Sequence, residues 1–450
     1  MALKLSVLGM GYLGVTHAAC LAELGFEVLG LDVDRHRIDR LRAGEVPFHE
    51  PGLDELVRAH CLTGRLRFTT DYAEAGAFAD VHFLTVGTPQ AADGDRADLR
   101  FVDAAADALA PCLTRPCLVV GKSTVPVGTA ARLAARLAAR TPAGARAEVA
   151  WNPEFLREGT AVADTLRPDR IVAGVASARA ESLLREIYAP VVEAGTPFLV
   201  TDLATAELAK VAANSFLAMK ISFVNAVSEV CEAAGADVLA LARAIGHDAR
   251  IGHRFLGAGV GFGGGCLPKD VRAFRARAEE LGCTSVGTLL GEVDQVNLRS
   301  RRRVVDLARE SAGGDLAGRR VAVLGAAFKP GTDDVRDSPA LDVASAVSRE
   351  GAKVAVYDPM ATGNGRRARP ELEFVDSMRS AVTGAETVLL LTEWEEFRRA
   401  DPAELARWVS VAAVVDGRNA LDHAAWSAAG WTVRAPGRPS GRPLLSGPAA

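Results

Sequence analysis

The sequence predicts an α/β protein of two doubly wound domains joined by a long central helix, and three observations carry that prediction. The opening stretch LKLSVLGMGYLGVTHAACLAELGFEVLGLDVD reads as strand, glycine turn, helix and strand. A second stretch of the same order, GRRVAVLGAAFKPGTDDVRDSPALDVASAVSREGAKVAVYDP, restarts after Arg303. Between them, Leu203 to Ala234 holds neither glycine nor proline, which predicts one continuous helix well above the usual length. Apolar runs alternating with helical patterns make each half an open parallel sheet, so both domains are expected to be Rossmann-like.

The chain has 450 residues, more than one core normally supports, and 49% apolar residues to fill several. The expected division is 1–202, a helical region 203–303 with dimerising character, an α/β domain 304–436, and a disordered Gly/Pro/Ser-rich tail 437–450. A net charge of −4 with mixed signs gives no basic face for nucleic acid, and the run Arg301, Arg302, Arg303 reads as a solvated helix end. No apolar run reads as long enough to cross a bilayer. The seven cysteines show neither zinc-like nor disulfide-framework spacing, and the N-terminus opens on a strand rather than a signal peptide. A reducing cytoplasm is therefore expected, with no metal site.

In the first unit Gly9, Gly11 and Gly14 have G-x-G-x-x-G spacing between strand and helix, with Tyr12 and Leu13 opening the helix. Gly9 allows the turn, Gly11 lets a pyrophosphate approach, and Gly14 lets the helix pack, while the helix N-terminus faces the phosphates. Asp32, closing the second strand, accepts from ribose hydroxyls and repels a 2′-phosphate, so NAD is expected over NADP.

Ligand-facing residues of such a sheet sit just past its strand ends, where TVGTP with Thr88, KSTVP with Thr124, and NPEFLREG with Glu154, Phe155, Leu156 and Glu158 fall. Each also reads as an ordinary βα turn. Lys210 and Asn214, four apart, share one face of the long helix; they are either functional or a snorkelling lysine and an asparagine on a solvated stripe. A mostly apolar helix of this kind is suited to pairing with a copy of itself. In the second copy Lys329 and Arg336 occupy the loop that replaces the glycine fingerprint, and Arg418 follows a later strand; all three suit phosphate or carboxylate.

GVGFGGGCLPKD places Gly261, Gly263, Gly264 and Gly265 around Phe262, just before Cys266, Pro268 and Asp270. Such a loop lets backbone approach a ligand, and Pro268 suits the first turn of a helix. A helix starting there puts Cys266 at its N-terminal edge, where the dipole favours a thiolate, and Asp270 on the same face. A tight turn around a small buried cysteine fits the same residues.

Together, GMGYLG, TVGTP, STVPVGT, NPEFLREG, GFGGGCLPKD, FKPGTDDVRDS and DGRN, in this order and over nearly the whole chain, resemble the UDP-glucose/GDP-mannose dehydrogenase family. The resemblance implies oxidation of a sugar C6 alcohol to a carboxylate with NAD, through a thiohemiacetal and thioester on Cys266. It implies UDP-glucose as substrate, on the runs NPEFLREGTAVADTLRPDRIV and RIGHRFLGAGVGFGGGCLPKD, with GDP-mannose or UDP-N-acetylmannosamine as alternatives. By the same resemblance Lys210 and Asn214 stabilise charge on the C6 oxygen, while Asp270, Glu158 and Thr124 handle water and protons. Glu154, Phe155, Leu156, Phe262, Gly263, Lys329 and Arg418 fall at sugar-nucleotide positions, Arg336 at one reaching NAD, and Arg250 at one supplied to the neighbouring subunit of a homodimer. Gly265 departs from a serine common among relatives.

Two other readings compete: a single-hydride hydroxyacid dehydrogenase using Lys210, which leaves Cys266 unexplained, and an NAD-sensing non-enzyme, which leaves the whole set unexplained.

Overall fold

The computed structural model describes residues 3–142 and 144–439, so residues 440–450 of the expected tail lie outside the described residues. Gly437, where that tail was expected to begin, donates its N–H to Glu232 Oε1 at 2.8 Å. The chain divides into two compact units, residues 1–213 with 273–282, and residues 214–272 with 283–450.

The first unit is an eight-stranded sheet: β1 (Lys4–Leu8), β2 (Glu27–Leu31), β3 (Leu66–Thr69), β4 (Val81–Leu84), β5 (Cys117–Gly121), β6 (Ala147–Trp151), β7 (Ile171–Gly174) and β8 (Phe198–Thr201). Their order is β3-β2-β1-β4-β5-β6-β7-β8. Strands β4 and β5 are buried along their whole length, as parallel strands covered on both faces must be. One departure from a parallel sheet occurs, where β7 meets β6 antiparallel through Trp151 and Gly174. The crevice expected of this topology lies outside the carboxyl ends of β1 and β4, where the strand order reverses.

The second unit repeats the plan with β9 (Arg320–Leu324), β10 (Lys353–Tyr357), β11 (Glu373–Phe374), β12 (Thr387–Leu390), β13 (Ala413–Asp416) and β14 (Thr432–Arg434). The order β11-β10-β9-β12-β13-β14 is the permutation of the first six strands again, and all its pairs are parallel. The copies agree in detail. Gly9 (φ +98) has no room for a Cβ against Val86, and Gly325 (φ +114) has none against Thr392. Asp32 accepts from Met10 N at 2.7 Å, and Asp358 from Ala326 N at 2.7 Å.

The glycine-free stretch forms one helix of 32 residues, Leu203–Ala234. It corrects the expectation about bilayer crossing, since by length and composition it is long enough: an 18-residue window has mean hydropathy 1.2, with 44% of it buried. Its polar side chains nevertheless belong to the fold. Glu207 accepts from Gly128 N and Ala130 N at 2.7 and 2.6 Å, Ser222 donates to Val293 O at 2.7 Å, and Asn225 accepts from Gly259 N at 2.8 Å.

The arginine run is not a solvated helix end. It lies inside the 28-residue helix Thr284–Ser311, which therefore crosses the boundary expected at residue 303. Arg301 is 5% exposed and pairs with Asp342 and Asp337, and Arg303 pairs with Glu232 and Glu310; Arg302 is exposed. Acidic partners on neighbouring elements drew in charges that the sequence alone shows only as a cluster.

Candidate active site

The glycine fingerprint meets each physical requirement. Helix Tyr12–Glu23 begins directly after Gly11, beside which a Cβ would meet nothing within 4 Å, leaving open space over the backbone N–H groups. A Cβ on Gly14 would overlap the Gly9 carbonyl oxygen. Asp32 is 7% exposed; its Oδ2 takes both Met10 N and, at 3.0 Å, Arg37 Nη1. This donor set fits a dinucleotide: open amides for the pyrophosphate and a carboxylate at the ribose position.

The loops past the strand ends are tied to one another rather than being independent turns. Thr88 Oγ1 donates to Thr124 O at 2.8 Å, joining TVGTP to KSTVP. Lys210, 4% exposed, sets its ammonium 3.1 Å from Glu154 Oε1 and 5.4 Å from the centre of the Phe155 ring, while Glu154 Oε2 accepts from Leu156 N at 2.6 Å. Asn214, on the next turn of the helix, is 7% exposed. The solvated-stripe alternative for this pair therefore does not hold.

Three residues that the sequence reading passed over organise this unit. Glu50, 3% exposed, accepts from the Tyr12 hydroxyl, from Gly159 N at 2.7 Å and from Ala161 N at 2.6 Å, so it pins the NPEFLREG loop to the fingerprint helix. Burial first, then the hydrogen bond to Glu50, raises the Tyr12 phenol well above its ordinary range, and the Glu158 charge adds to this. Glu207, one turn before Lys210, holds the backbone that follows KSTVP. Lys122 donates to Asn152 Oδ1 at 2.8 Å and to Tyr188 Oη at 3.2 Å; burial brings its ammonium down to about 7, opposed by the Glu154 charge. None has a spacing motif; a carboxylate inside HEPGL was the nearest visible signal for Glu50.

In the second unit Cys266 is exposed and immediately precedes helix Leu267–Glu280, whose first bond runs from Asp270 N to Cys266 O at 2.9 Å. The buried-turn alternative for this cysteine fails on its exposure. Asp270, 1% exposed, takes Asn214 Nδ2 at 2.7 Å and Lys269 Nζ at 2.6 Å on its two oxygens. The geometry thus joins Cys266, Asp270 and Asn214 through one helix turn and one hydrogen bond.

The glycines around Phe262 have a cause other than the expected room for a ligand, because the protein itself fills the space their side chains would take. A Cβ on Gly259 would meet Gly417 O, on Gly261 (φ +92) Asn297 Oδ1, on Gly263 Asp337 O, and on Gly264 (φ +88) the Phe328 ring. Beside Gly265 the neighbour is instead the end of a long, largely exposed side chain, the Arg336 guanidinium. The DGRN loop closes over the same segment. Arg418 donates to Gly261 O, Phe328 O and Leu391 O, each at 2.8 to 2.9 Å, and pairs with Glu393 at 3.3 Å. Asn419 donates to Ala258 O at 3.1 Å.

Lys329 is half-buried beyond β9, its ammonium 5.6 Å from the Phe328 ring centre. Arg336 pairs with Asp334 at 2.7 Å and remains largely exposed. Arg250 is drawn to none of the others; it pairs with Asp248 at 2.6 Å on the surface, with 89% of its side chain exposed.

Three family models match the chain in sequence order. Residues 3–192 match the NAD binding domain of the UDP-glucose/GDP-mannose dehydrogenase family, 204–299 its central domain, and 322–423 its UDP binding domain. The chain belongs to this family. It is an NAD-dependent nucleotide-sugar dehydrogenase, with its cofactor domain on the first sheet and its nucleotide-sugar domain on the second. A UDP-glucose 6-dehydrogenase of Pseudomonas aeruginosa is 42% identical over 446 residues, covering 97% of this chain and 98% of that one. Among solved structures, a UDP-glucose dehydrogenase from Pyrobaculum islandicum superposes with a TM-score of 0.88 at 42% identity, over 94% of this chain and 96% of that one. A UDP-D-ManNAc dehydrogenase from Pyrococcus horikoshii superposes with 0.85 at 26% identity, over 97% and 99%.

Proposed function

We propose that this dehydrogenase oxidises UDP-glucose to UDP-glucuronate through a covalent intermediate on Cys266. One observation carries the chemistry: an exposed cysteine at the start of a helix, four residues before a buried aspartate that is hydrogen-bonded to Asn214. A single-hydride dehydrogenase has no use for that thiol. UDP-glucose is favoured as the substrate by 42% identity to enzymes named for it, against 26% to the ManNAc enzyme.

NAD, when bound, supplies the oxidant for both two-electron steps, alcohol to aldehyde and thiohemiacetal to thioester. Between them Cys266 Sγ adds to the aldehyde carbon, and the carbonyl oxygen takes up a proton. Lys210 and Asn214 stabilise negative charge on the C6 oxygen as an ammonium and an amide donor. Water then cleaves the thioester, releasing acid and thiol, with Asp270, Glu158 and Thr124 positioning it and relaying its protons. Phe155, Leu156, Phe262 and Gly263 contact the sugar nucleotide, Lys329 its diphosphate, and Arg336 the NAD. Arg418 acts by holding the loop of Phe262 through Gly261.

The enzyme works as a cytoplasmic homodimer in this reading. Phe216, Phe223 and Val230, exposed at 58, 55 and 65%, recur every seven residues along one side of the long helix, the spacing of a helix that packs on a second copy. The surface arginine Arg250 then serves the partner's site. Light scattering checks the mass. A panel of nucleotide sugars with NAD tests the function: two NADH per UDP-glucose and a product heavier by one oxygen and lighter by two hydrogens are expected, whereas one NADH per sugar removes the covalent mechanism.

A further inference from the structure

We infer that Asn297 is a positioning residue that fixes the register of the loop delivering Cys266. Its side chain is completely buried on helix Thr284–Ser311. Oδ1 accepts from Phe262 N at 2.8 Å and Nδ2 donates to Phe262 O at 3.0 Å, so one amide reads both backbone groups of a single residue, as a neighbouring β-strand would. The space for this is made by Gly261, whose φ of +92 and missing Cβ leave room where Oδ1 sits. One turn further along the same helix, Arg301 Nη2 donates to the same Phe262 carbonyl at 2.9 Å.

Phe262 is four residues from Cys266, and the intervening glycines carry no side chain that could hold position themselves. A slip of one residue at Phe262 turns both backbone groups away from Asn297 and leaves the buried amide unpaired. No aliphatic side chain can make both bonds, and a carboxylate accepts but cannot donate. Asn297 therefore acts on the thiol through the loop, not on the substrate.

This inference rests on Cys266 being the nucleophile, and the experiment separates the two. The wild-type enzyme and Asn297→Asp are compared for UDP-glucose turnover and for alkylation of Cys266 by iodoacetamide across pH, followed by mass spectrometry of its peptide. Asn297→Asp should keep its cooperative unfolding, lose tenfold or more in kcat with KM for UDP-glucose changed less than threefold, and alter the Cys266 alkylation rate at least threefold with a displaced pH profile. Wild-type kcat together with a wild-type alkylation profile overturns the inference. A wild-type enzyme that makes no acid overturns the functional reading instead, and the alkylation arm still decides on Asn297. Asn297→Gln, which keeps both groups on a longer arm, repeats the test if the aspartate variant does not fold. Should neither fold, hydrogen exchange on the wild type decides: the Phe262 amide must be strongly protected, and fast exchange there refutes the pin.

Discussion

The ammonium of Lys210 and the carboxylate of Glu154 lie 3.1 Å apart with their side chains only 5 and 13% exposed. The pair joins the long helix to the NPEFLREG loop, and Glu154 at the same time accepts from Leu156 N. Lys210→Met removes one partner and leaves a buried carboxylate uncompensated, which costs about 3–5 kcal/mol of unfolding free energy. Glu154→Gln placed on top keeps an acceptor for Leu156 N and should recover most of that loss. Urea denaturation of both variants gives the answer; a double variant as unstable as Lys210→Met shows that the pair is not what destabilises it.

Asp32 predicts cofactor choice, and its partner sharpens the prediction. With the carboxylate in place, a 2′-phosphate meets negative charge, so NAD should exceed NADP in kcat/KM. Asp32→Ser removes that repulsion and releases Arg37, now paired with it at 3.0 Å, to meet a phosphate. The NAD-to-NADP preference should then fall at least about tenfold, equivalent to roughly 1.4 kcal/mol. Steady-state kinetics with both cofactors measures the ratio, and an unchanged ratio excludes Asp32 as the discriminator.

The glycines of the Cys266 loop are not equivalent. Gly261→Ala must place a Cβ on Asn297 Oδ1 with the backbone at φ +92, and both effects oppose it. At Gly265→Ser the nearest atoms are those of the Arg336 guanidinium, the far end of a long and largely exposed side chain. Thermal unfolding should therefore show a loss of about 2 kcal/mol or more for Gly261→Ala. Gly265→Ser should stay within about 0.5 kcal/mol of wild type. Equal losses at the two positions contradict this account.

Legibility in the sequence followed periodicity and glycine spacing. Strands β1, β4 and β5 and the helix from Leu203 were readable because buried parallel strands and an unbroken helix leave continuous local patterns. Gly9, Gly11, Gly14 and Asp32 were readable because a dinucleotide turn dictates residues at fixed offsets. Glu50, Glu207 and Asn297 were not, since each acts on backbone far along the chain: Glu50 on Gly159, Glu207 on Gly128, Asn297 on Phe262. The Arg301 reading failed for the same reason, as its partners Asp337 and Asp342 arrive from a different helix and loop.

Lys122 makes stability depend on pH in a known direction. Burial lowers its ammonium to about 7 in the fold, below an unfolded value of about 10.4. Between those values the unfolded chain binds the extra proton, so stability rises with pH through that window and the contribution is flat below it, with a slope near 1.4 kcal/mol per pH unit at most. Lys122→Met should lose this rise. Asn152 Oδ1 keeps the Tyr188 hydroxyl at 2.6 Å, so the substitution leaves that acceptor satisfied. Urea midpoints of wild type and variant at pH 7 and 9 compare the slopes directly, and parallel slopes would falsify a buried, pH-sensitive amine.

Cys266→Ala separates the two oxidations, because they make different demands. The first needs NAD, a positioned alcohol and a proton acceptor, all of which the variant retains. In the proposed mechanism the second needs the thiohemiacetal on Cys266 Sγ. Acid production should fall by at least about a thousandfold, the scale on which losing a covalent nucleophile acts. A small amount of aldehyde-level product should still appear in a single-turnover mixture. Sugar-nucleotide affinity, measured by calorimetry, should stay near wild type, since the proposed contacts of Lys329 and Phe262 are untouched. Cys266 is exposed, so its truncation opens no cavity and cooperative unfolding should be kept, which lets the loss be read as chemistry. If the variant made UDP-glucuronate at a rate near wild type, direct hydration of the aldehyde would have to replace the covalent route, and the placement of a cysteine at that helix start would need another explanation.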